Sequence, residues 1–283
     1  MMQNMTTRND DSITLGDGTK LRWHDWPADS PRARLLIVHG LGEHGRRYSR
    51  LAREMNDIGI SVRAYDQRGH GLSEGKRGVL PAREDVLPRD LLEVFAAYAG
   101  EGEDVPMLLG HSLGGLVVLH AVTMLGLQPR GLIASAPGLA AFVSRADRWL
   151  ASILRRVLPD LTIASGLKDD KLSHDAHVVR AYRDDPLVHD RISARLASYL
   201  LGEGDAVINA AAHLQVPTLL QIAGGDELVD PSGARAFAEI APPDYLTVRD
   251  YPGLYHEIYN EAEPDRRQVI ADLLGWLDAR LRS

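Results

Sequence analysis

Residues 106–125, PMLLGHSLGGLVVLHAVTML, give the clearest indication of the fold class of this chain. Its first part is apolar, as in a strand buried on both faces, and its last part has the composition of a helix. Between them, Gly110-His111-Ser112-Leu113-Gly114 fits the G-x-S-x-G pattern of a serine at a tight strand-to-helix turn. The segment therefore predicts a strand, a sharp turn that presents Ser112 as a nucleophile, and a helix. The alternative is a glycine-rich turn in which Ser112 only caps the helix.

Short apolar runs alternate with amphipathic segments on both sides of this stretch, which is typical of a mostly parallel sheet flanked by helices. Strands are predicted at 34–39, 60–65, 106–109, 131–135, 218–223 and 245–249, and helices at 47–58, 83–99, 113–125, 142–158 and 265–281. Residues 11–15 and 20–26 resemble an antiparallel hairpin at a sheet edge. The residues between 135 and 218 contain no strand-like run and are too many for a loop. We predict one α/β domain, residues 1–137 and 214–283, interrupted by a helical cap at residues 138–213.

The composition excludes several classes of protein. The 283 residues include no cysteine, which excludes a disulfide scaffold, a thiolate zinc site, an iron–sulfur cluster and a thiol nucleophile. The formal net charge of −7, with no basic run, argues against a nucleic-acid partner. The N-terminal sequence MMQNMTTRNDDS lacks the apolar core of a secretory signal, and no run approaches the roughly 18 apolar residues of a membrane span. We expect a soluble protein with a cytoplasmic location.

A serine nucleophile needs a histidine base that is oriented by a carboxylate, in the chain order serine, acid, histidine. Asp226 follows the predicted strand TLLQIA, so its side chain is expected at the carboxyl edge of the sheet. Two neighbouring acids fit structural roles instead, because Asp230 precedes a proline at a predicted helix start and Glu227 suits an exposed loop. His256 lies between the last predicted strand and the last helix, where the base is expected. We predict Ser112, Asp226 and His256 as the catalytic residues.

The oxyanion of a tetrahedral intermediate needs N–H donors. One is expected to be the backbone amide of Leu113, directly after the nucleophile. The other is expected to be the amide of Leu41, which lies between two glycines after the strand at 34–39. Among the 11 histidines, His174 and His177 have helical spacing, but no third ligand is evident. We therefore predict no metal site, and the chemistry requires no cofactor.

Five motifs together resemble one family. They are HGLGEH at 39–44, DQRGHGLSEGKRG at 66–78, GHSLGG at 110–115, GGDELVD at 224–230 and YPGLYHEIYNE at 251–261. Their order and spacing are similar to those of the monoacylglycerol lipase and lysophospholipase branch of the α/β-hydrolases, which implies an α/β-hydrolase fold with an inserted cap. The resemblance also implies the triad Ser112, Asp226 and His256 and an oxyanion hole from Leu41 and Leu113. Within 66–78, the glycines are expected to shape a turn and the charged residues to brace the active-site loops.

The resemblance further implies that the substrate is a small lipid ester, a monoacylglycerol cleaved to glycerol and fatty acid through an acyl-enzyme. A lysophospholipase and a short- or medium-chain carboxylesterase use the same machinery and stay open as alternatives. A serine peptidase is disfavoured because no amine-binding site is evident, and a non-catalytic lipid-binding module is disfavoured by the complete triad. Some animal members carry a cysteine where this chain has Val229, so thiol-directed control is not expected.

The predicted cap combines apolar residues at roughly helical spacing with four arginines. The apolar residues are Phe142, Trp149, Leu150, Ile153, Leu154, Val157 and Leu158, and the arginines are Arg145, Arg148, Arg155 and Arg156. One interpretation is that this apolar face packs on the domain below. The other is an interfacial lid that makes peripheral membrane contact, in which apolar side chains enter lipid and arginines meet anionic headgroups.

Overall fold

Strands and helices alternate along the chain as predicted, and the computed structural model describes residues 7–9, 11–83 and 85–282. The strands are β1 (Thr7–Asn9), β2 (Ser12–Thr14), β3 (Lys20–Trp26), β4 (Ala33–Val38), β5 (Ile60–Tyr65), β6 (Met107–His111), β7 (Leu132–Ser135), β8 (Thr162–Ala164), β9 (Arg191–Ser193), β10 (Thr218–Ala223) and β11 (Leu246–Tyr251). The α-helices are α1 (Ser49–Asp57), α2 (Val86–Ala99), α3 (Leu113–Thr123), α4 (Arg145–Val157), α5 (Ala176–Asp184), α6 (Ala194–Asn209), α7 (Pro231–Ile240) and α8 (Asp265–Leu281). None of the described helices has the length and apolar character that crossing a membrane requires.

Nine strands form one sheet in the order β1-β2-β3-β5-β4-β6-β7-β10-β11. Every neighbouring pair from β5 to β11 is parallel, whereas the β1–β2, β2–β3 and β3–β5 pairs are antiparallel. The predicted hairpin is therefore confirmed as an antiparallel edge, and β1 extends it by a strand that the pattern did not predict. All residues of β6, β7 and β10 are buried, as their continuous apolar runs require.

Helices cover both faces of this sheet and bury a hydrophobic cluster on each. One cluster includes Leu116 of α3 together with residues of α2, and the other includes Met55 of α1 and Leu273 of α8. Because successive side chains of a strand point to opposite faces, Leu36 of β4 joins the first cluster and Leu35 joins the second. The parallel strands thus form a packed platform whose carboxyl ends lie at one edge, which is where ligands bind in open α/β sheets.

The 138–213 segment, which connects β7 to β10, adds no strand to the nine-stranded sheet among its described residues. It contains α4, α5 and α6 and a separate antiparallel pair of strands, β8 and β9. The prediction that this region lacks strands is therefore wrong. Each of the two strands has only three residues, which is too short to produce a recognisable alternation of apolar and polar residues.

Two loops of the main sheet contact the 138–213 segment at glycines. Gly42 has a φ of +76°, and a Cβ there would lie 2.3 Å from the carbonyl oxygen of His189. Gly78 has a φ of +69°, and a Cβ there would lie 2.2 Å from the carbonyl oxygen of Arg191. The N–H groups of His189 and Ser193 donate to the carbonyls of Gly42 and Gly78, at 2.9 and 2.8 Å. The loops after β4 and β5 are therefore hydrogen-bonded to this segment.

Candidate active site

Ser112 lies at the turn between β6 and α3, where the sequence predicted it. Its φ and ψ of 56° and −120° are strained for a residue with a side chain. The turn requires glycine on both sides: a Cβ on Gly110 would lie 2.3 Å from the Gly114 carbonyl oxygen, and one on Gly114 would lie 2.0 Å from that of Val38. The Ser112 side chain makes no capping hydrogen bond to α3. Helix capping therefore does not account for a serine at this position.

Asp226 and His256 are buried and hydrogen-bonded to each other. Nδ1 of His256 donates to Oδ2 of Asp226 at 2.5 Å. Oδ1 of Asp226 accepts the backbone N–H groups of Leu228 and Val229 at 2.7 and 3.0 Å, so its own loop orients the carboxylate. Because Nδ1 carries the donated proton, Nε2 is the imidazole nitrogen with a free lone pair.

Electrostatics makes the imidazole of His256 more basic and keeps Asp226 ionised. Burial would lower the pKa of His256, but the charge and hydrogen bond of Asp226 outweigh burial and raise that pKa above its ordinary value. Burial would raise the pKa of Asp226, but His256 and two backbone amides lower it. The ring centroid of His111 lies 4.7 Å from that of His256. Burial and the neighbouring His256 lower the pKa of His111 to about 4, so it is neutral at neutral pH.

Ser112 and His256 line a cavity of about 400 Å³, and Leu41 and Leu113 line it as well. Within the described part of the chain, neither the Leu41 N–H nor the Leu113 N–H has a protein acceptor. Among the described residues, both N–H groups are therefore free of protein acceptors, as the donors to an oxyanion must be. Much of the remaining lining is apolar and comes from the 138–213 segment, including Ala140, Ala141, Phe142, Val143, Ile163, Leu167, Leu172, Ile192, Ala197, Leu200 and Leu201.

Three largely buried charged side chains form one part of the cavity wall: Glu43, Arg47 and Glu257. Nη1 of Arg47 donates to Glu43 Oε2 and Glu257 Oε1, both at 2.6 Å, and Nη2 donates to Glu257 Oε2 at 2.8 Å. The sequence pattern indicated no role for these three residues. The available signal was their position, since Glu43 follows the turn that carries Leu41 and Glu257 follows His256.

The loop after β5 braces the loop after β4. Nε2 of His39 accepts the Gln67 N–H at 2.8 Å, and a carboxylate oxygen of Asp66 accepts the Gly45 N–H, also at 2.8 Å. The expectation that residues 66–78 support the site loops is confirmed for Asp66. Arg68 instead binds an aspartate of α2 through two hydrogen bonds of 2.9 and 2.8 Å, so it secures a helix away from the cavity.

The polar residues that the sequence offers as alternative acids or metal ligands have structural partners. Asp230 caps α7 as predicted, with its side chain accepting a backbone N–H at 2.9 Å. Glu227 is exposed and accepts a hydrogen bond from Lys171 at 2.6 Å. Nδ1 of His174 lies 2.9 Å from Glu261. Over the residues that the structure describes, no group of three or more His, Cys, Asp or Glu side chains could hold a metal ion.

Comparison with known proteins identifies the family. Residues 29–263 match the family model Hydrolase_4, described as serine aminopeptidase, S33. The chain is 31% identical over 281 residues to the monoacylglycerol lipase of Mycolicibacterium smegmatis, covering 98% of this chain and 99% of that one. It is 32% identical over 258 residues to phospholipase YtpA of Bacillus subtilis, covering 89% and 98%. The crystal structure of Paleococcus ferrophilus monoacylglycerol lipase superposes with a TM-score of 0.83 at 31% identity, covering 92% of this chain and 99% of that one.

A much longer relative from Dictyostelium discoideum, an uncharacterized abhydrolase domain-containing protein, is matched over 29% of its own length. The family match spans all five predicted site residues, from Leu41 to His256. The α/β-hydrolase fold predicted from the motifs is confirmed by the sheet and by the structural similarity. The chain belongs to the Hydrolase_4 family of α/β-hydrolases.

Proposed function

We propose that this chain is a serine hydrolase that cleaves a monoacylglycerol to glycerol and a free fatty acid. The observation that carries the proposal is one largely apolar cavity lined by the strained Ser112, by His256 with Asp226 hydrogen-bonded behind it, and by Leu41 and Leu113, whose N–H groups have no acceptor among the described residues. A nucleophile, an oriented base and oxyanion donors at one place are the parts that acyl transfer needs. Among esters, the similarity to monoacylglycerol lipases favours a monoacylglycerol.

The mechanism that we propose has two acyl-transfer steps. Nε2 of His256 takes the proton of Ser112, whose oxygen attacks the ester carbonyl carbon, and the resulting oxyanion accepts hydrogen bonds from the Leu41 and Leu113 amides. The ester C–O bond then breaks, and the leaving glycerol oxygen takes the proton from the imidazolium. A water deprotonated by His256 then attacks the acyl carbon. The bond between that carbon and the Ser112 oxygen breaks, the imidazolium returns its proton to Ser112, and the fatty acid leaves. Asp226 holds the required tautomer and stabilises the imidazolium charge.

We further propose that residues 138–213 act as a cap that shapes the acyl pocket. The support is that this segment supplies a large share of the apolar cavity lining. An acyl chain placed along these side chains would leave water, with a favourable free energy of about 25 cal/mol per Å² of buried apolar surface. The core would then consist of residues 1–137 and 214–283.

A lysophospholipid is the second candidate substrate, because the chain is similar to a phospholipase at comparable identity. A peptide with a free amine is disfavoured by the charged wall of the cavity. Glu43 and Glu257 are both hydrogen-bonded to Arg47, so neither carboxylate is free to pair with a substrate ammonium group.

The test compares hydrolysis of monoacylglycerols, lysophospholipids, p-nitrophenyl esters and an aminoacyl p-nitroanilide by the wild type and Ser112→Ala. A fluorophosphonate probe reports the reactive serine independently of substrate. We expect labelling of Ser112 and fastest turnover of monoacylglycerols. Faster lysophospholipid turnover would favour the second candidate. A protein that binds lipid but neither reacts with the probe nor hydrolyses esters would be a non-catalytic module.

We also propose peripheral membrane contact through an exposed apolar surface, the lid patch. It consists of Phe142, Val143, Trp149, Val157, Leu158, Leu161 and Ile163. Trp149 and Val157 are 67% and 68% exposed, so they do not pack on the domain below. Exposed apolar side chains that lie close together in the sequence are candidates for an interaction surface. The packing interpretation applies instead to Ile153 and Leu154, which are half-buried. The side chains of Arg145, Arg148 and Leu150 lie outside the described residues.

Vesicle sedimentation with mixed anionic and zwitterionic lipids tests the lid patch. The double variant Trp149→Ser, Val157→Ser should bind vesicles several-fold more weakly, because it loses apolar area that enters the bilayer. Its hydrolysis of a water-soluble ester should stay unchanged. Val105→Ser is the matched control, since Val105 is also exposed but lies outside the patch. Equal vesicle binding by the wild type and the double variant would contradict the proposal.

A further inference from the structure

Two segments that lie far apart in the sequence are joined at Arg47. One is the turn after β4 that carries Leu41, and the other carries His256. Three charge-assisted hydrogen bonds of 2.6 to 2.8 Å run from the guanidinium to Glu43 in the first segment and Glu257 in the second. The partners Arg47 and Glu257 are 210 residues apart, so this link is made entirely by the tertiary fold.

Glu43 extends the link into the oxyanion turn. Its Oε1 accepts the N–H of Gly40 at 2.5 Å and the hydroxyl of Tyr48 at 2.8 Å. Gly40 packs against the nucleophile, since a Cβ there would lie 3.1 Å from the Cβ of Ser112. Glu43 therefore fixes the residue directly before Leu41, and with it the direction in which the Leu41 N–H points.

Glu257 extends the link to the base. Its N–H donates to the carbonyl of Leu172 at 2.8 Å, and its Oε2 also accepts from the side chain of Asn260 at 2.9 Å. The ring of Tyr182 lies over the guanidinium, with 4.8 Å between the ring centroid and Cζ of Arg47. All three side chains of the cluster are largely buried. Removing one partner would leave a buried charge uncompensated.

The same cluster contributes to the charge around the imidazole. The ionisable groups around His256 include Asp226 and His111, the cluster residues Glu43, Arg47 and Glu257, and, on the wall of the same cavity, Lys168, Tyr182 and Glu227. Burial lowers the pKa of His256, whereas Asp226, Glu257 and Glu43 raise it. Arg47 binds both glutamates of the cluster and offsets one of their two negative charges.

We propose that Arg47 is a positioning residue of this site, which holds the oxyanion turn and the His256 segment in one arrangement and balances the charge beside the base. The kinetic part of this inference rests on the proposed hydrolase function. The structural part rests on the hydrogen bonds alone.

Four variants test it. Arg47→Met removes the cation, Arg47→Lys keeps the charge but loses the planar fork, and Glu257→Gln removes one negative charge. Arg46→Met is the matched control, because Arg46 is the adjacent residue and is exposed. With a p-nitrophenyl ester, kcat should fall roughly 10- to 100-fold in Arg47→Met with little change in KM. The kcat of Arg47→Lys should lie between those of Arg47→Met and the wild type.

The pH profile provides a readout that a purely structural role would not move. In Arg47→Met the unbalanced carboxylates favour the imidazolium, so the acidic limb of kcat/KM should move to higher pH. In Glu257→Gln it should move to lower pH, in both cases by about half a unit or more. Titration of His256 by NMR in histidine-labelled protein should give the same two shifts without turnover.

The outcomes separate this inference from the proposed function. Wild-type protein without esterase activity would contradict the function, while the NMR titration would still test Arg47. If Arg47→Met does not fold, Arg47→Lys and Glu257→Gln carry the test. Values of kcat and of the His256 titration indistinguishable from wild type in those two variants would overturn the inference. Equal losses in Arg46→Met would overturn it too, because they would indicate general destabilisation.

Discussion

Replacing Asp226 with asparagine should reverse the hydrogen-bonding role of the group that faces His256. Oδ1 of Asp226 accepts two backbone N–H groups of its own loop, at 2.7 and 3.0 Å, so the asparagine must place its carbonyl oxygen there to keep both bonds. Its NH₂ group then takes the place of Oδ2, which lies 2.5 Å from Nδ1 in the native pair. Because NH₂ only donates, Nδ1 must accept and the imidazole proton moves to Nε2. That tautomer cannot take the proton of Ser112.

The expected loss of kcat is about 10³- to 10⁴-fold. This corresponds to about 4 to 5.5 kcal/mol of transition-state stabilisation. The free energy of unfolding should fall much less, by about 1 kcal/mol, because both backbone hydrogen bonds survive and an N–H···N bond replaces the N–H···O bond. Loss of the carboxylate charge should also lower the pKa of His256 and move the acidic limb of kcat/KM to lower pH.

The assay is steady-state hydrolysis of a p-nitrophenyl ester from acidic to alkaline pH, with a urea melt for stability. Asp230→Asn is the matched control on the same loop, because Asp230 caps α7 and asparagine caps helices equally well. The control should keep kcat within about twofold of wild type. An Asp226→Asn variant that keeps more than about a tenth of wild-type kcat would refute the tautomer argument.

The geometry of the site and its surroundings leads to three further predictions. Ser112→Ala should abolish both fluorophosphonate labelling and ester turnover without changing the circular dichroism spectrum, and retained turnover would point to another nucleophile. Gly114→Ala should lower the free energy of unfolding by about 3 kcal/mol or more, since its Cβ would lie 2.0 Å from the Val38 carbonyl oxygen. Gly275→Ala in α8 has open space around it and should raise the free energy of unfolding by up to about 1 kcal/mol. Equal melting temperatures for the two variants would contradict this prediction. Burial would raise the pKa of Glu43, but its neighbouring cation and the nearby imidazoles lower it from 4.5 to about 2. This carboxylate should therefore stabilise the fold above pH 4.5 by about 3 kcal/mol and lose that contribution as the pH falls towards 2. Parallel curves of unfolding free energy against pH for wild type and Glu43→Gln would argue against this prediction.

The elbow and the parallel strands were predictable because each has a local signature. Ser112 lies between an apolar run and a helix-forming run, and the strands at 60–65 and 218–223 have the predicted bounds because strands buried on both faces are continuously apolar. Chain order identifies Asp226 and His256, since loops at the carboxyl ends of parallel strands meet at one edge. The structure brings those two side chains within hydrogen-bonding distance.

The Arg47 cluster and the strands β8 and β9 were not predictable in this way. A charged residue in a loop is usually exposed, and only tertiary packing brings Arg47 to a glutamate 210 residues away. Three-residue strands span little more than one period of alternation, so β8 and β9 leave no pattern to read. Contacts between residues far apart in the sequence, and strands of only three residues, leave no recognisable local pattern of amino acids.

The tight contacts at Gly42 and Gly78 limit which parts of the 138–213 segment can be exchanged with those of a relative. Carbonyl oxygens of His189 and Arg191 occupy the space of the two missing side chains, so a transplanted 138–213 segment must bring its backbone through the same two points. The carbonyl oxygens that fill these two spaces belong to residues at or just before β9, and not to helix α4. Chimeras that replace only helix α4 therefore keep the contacts that hold the turn bearing Leu41. Chimeras that also replace β9 require the loops after β4 and β5 to be replaced together with it, because those loops contain Gly42 and Gly78.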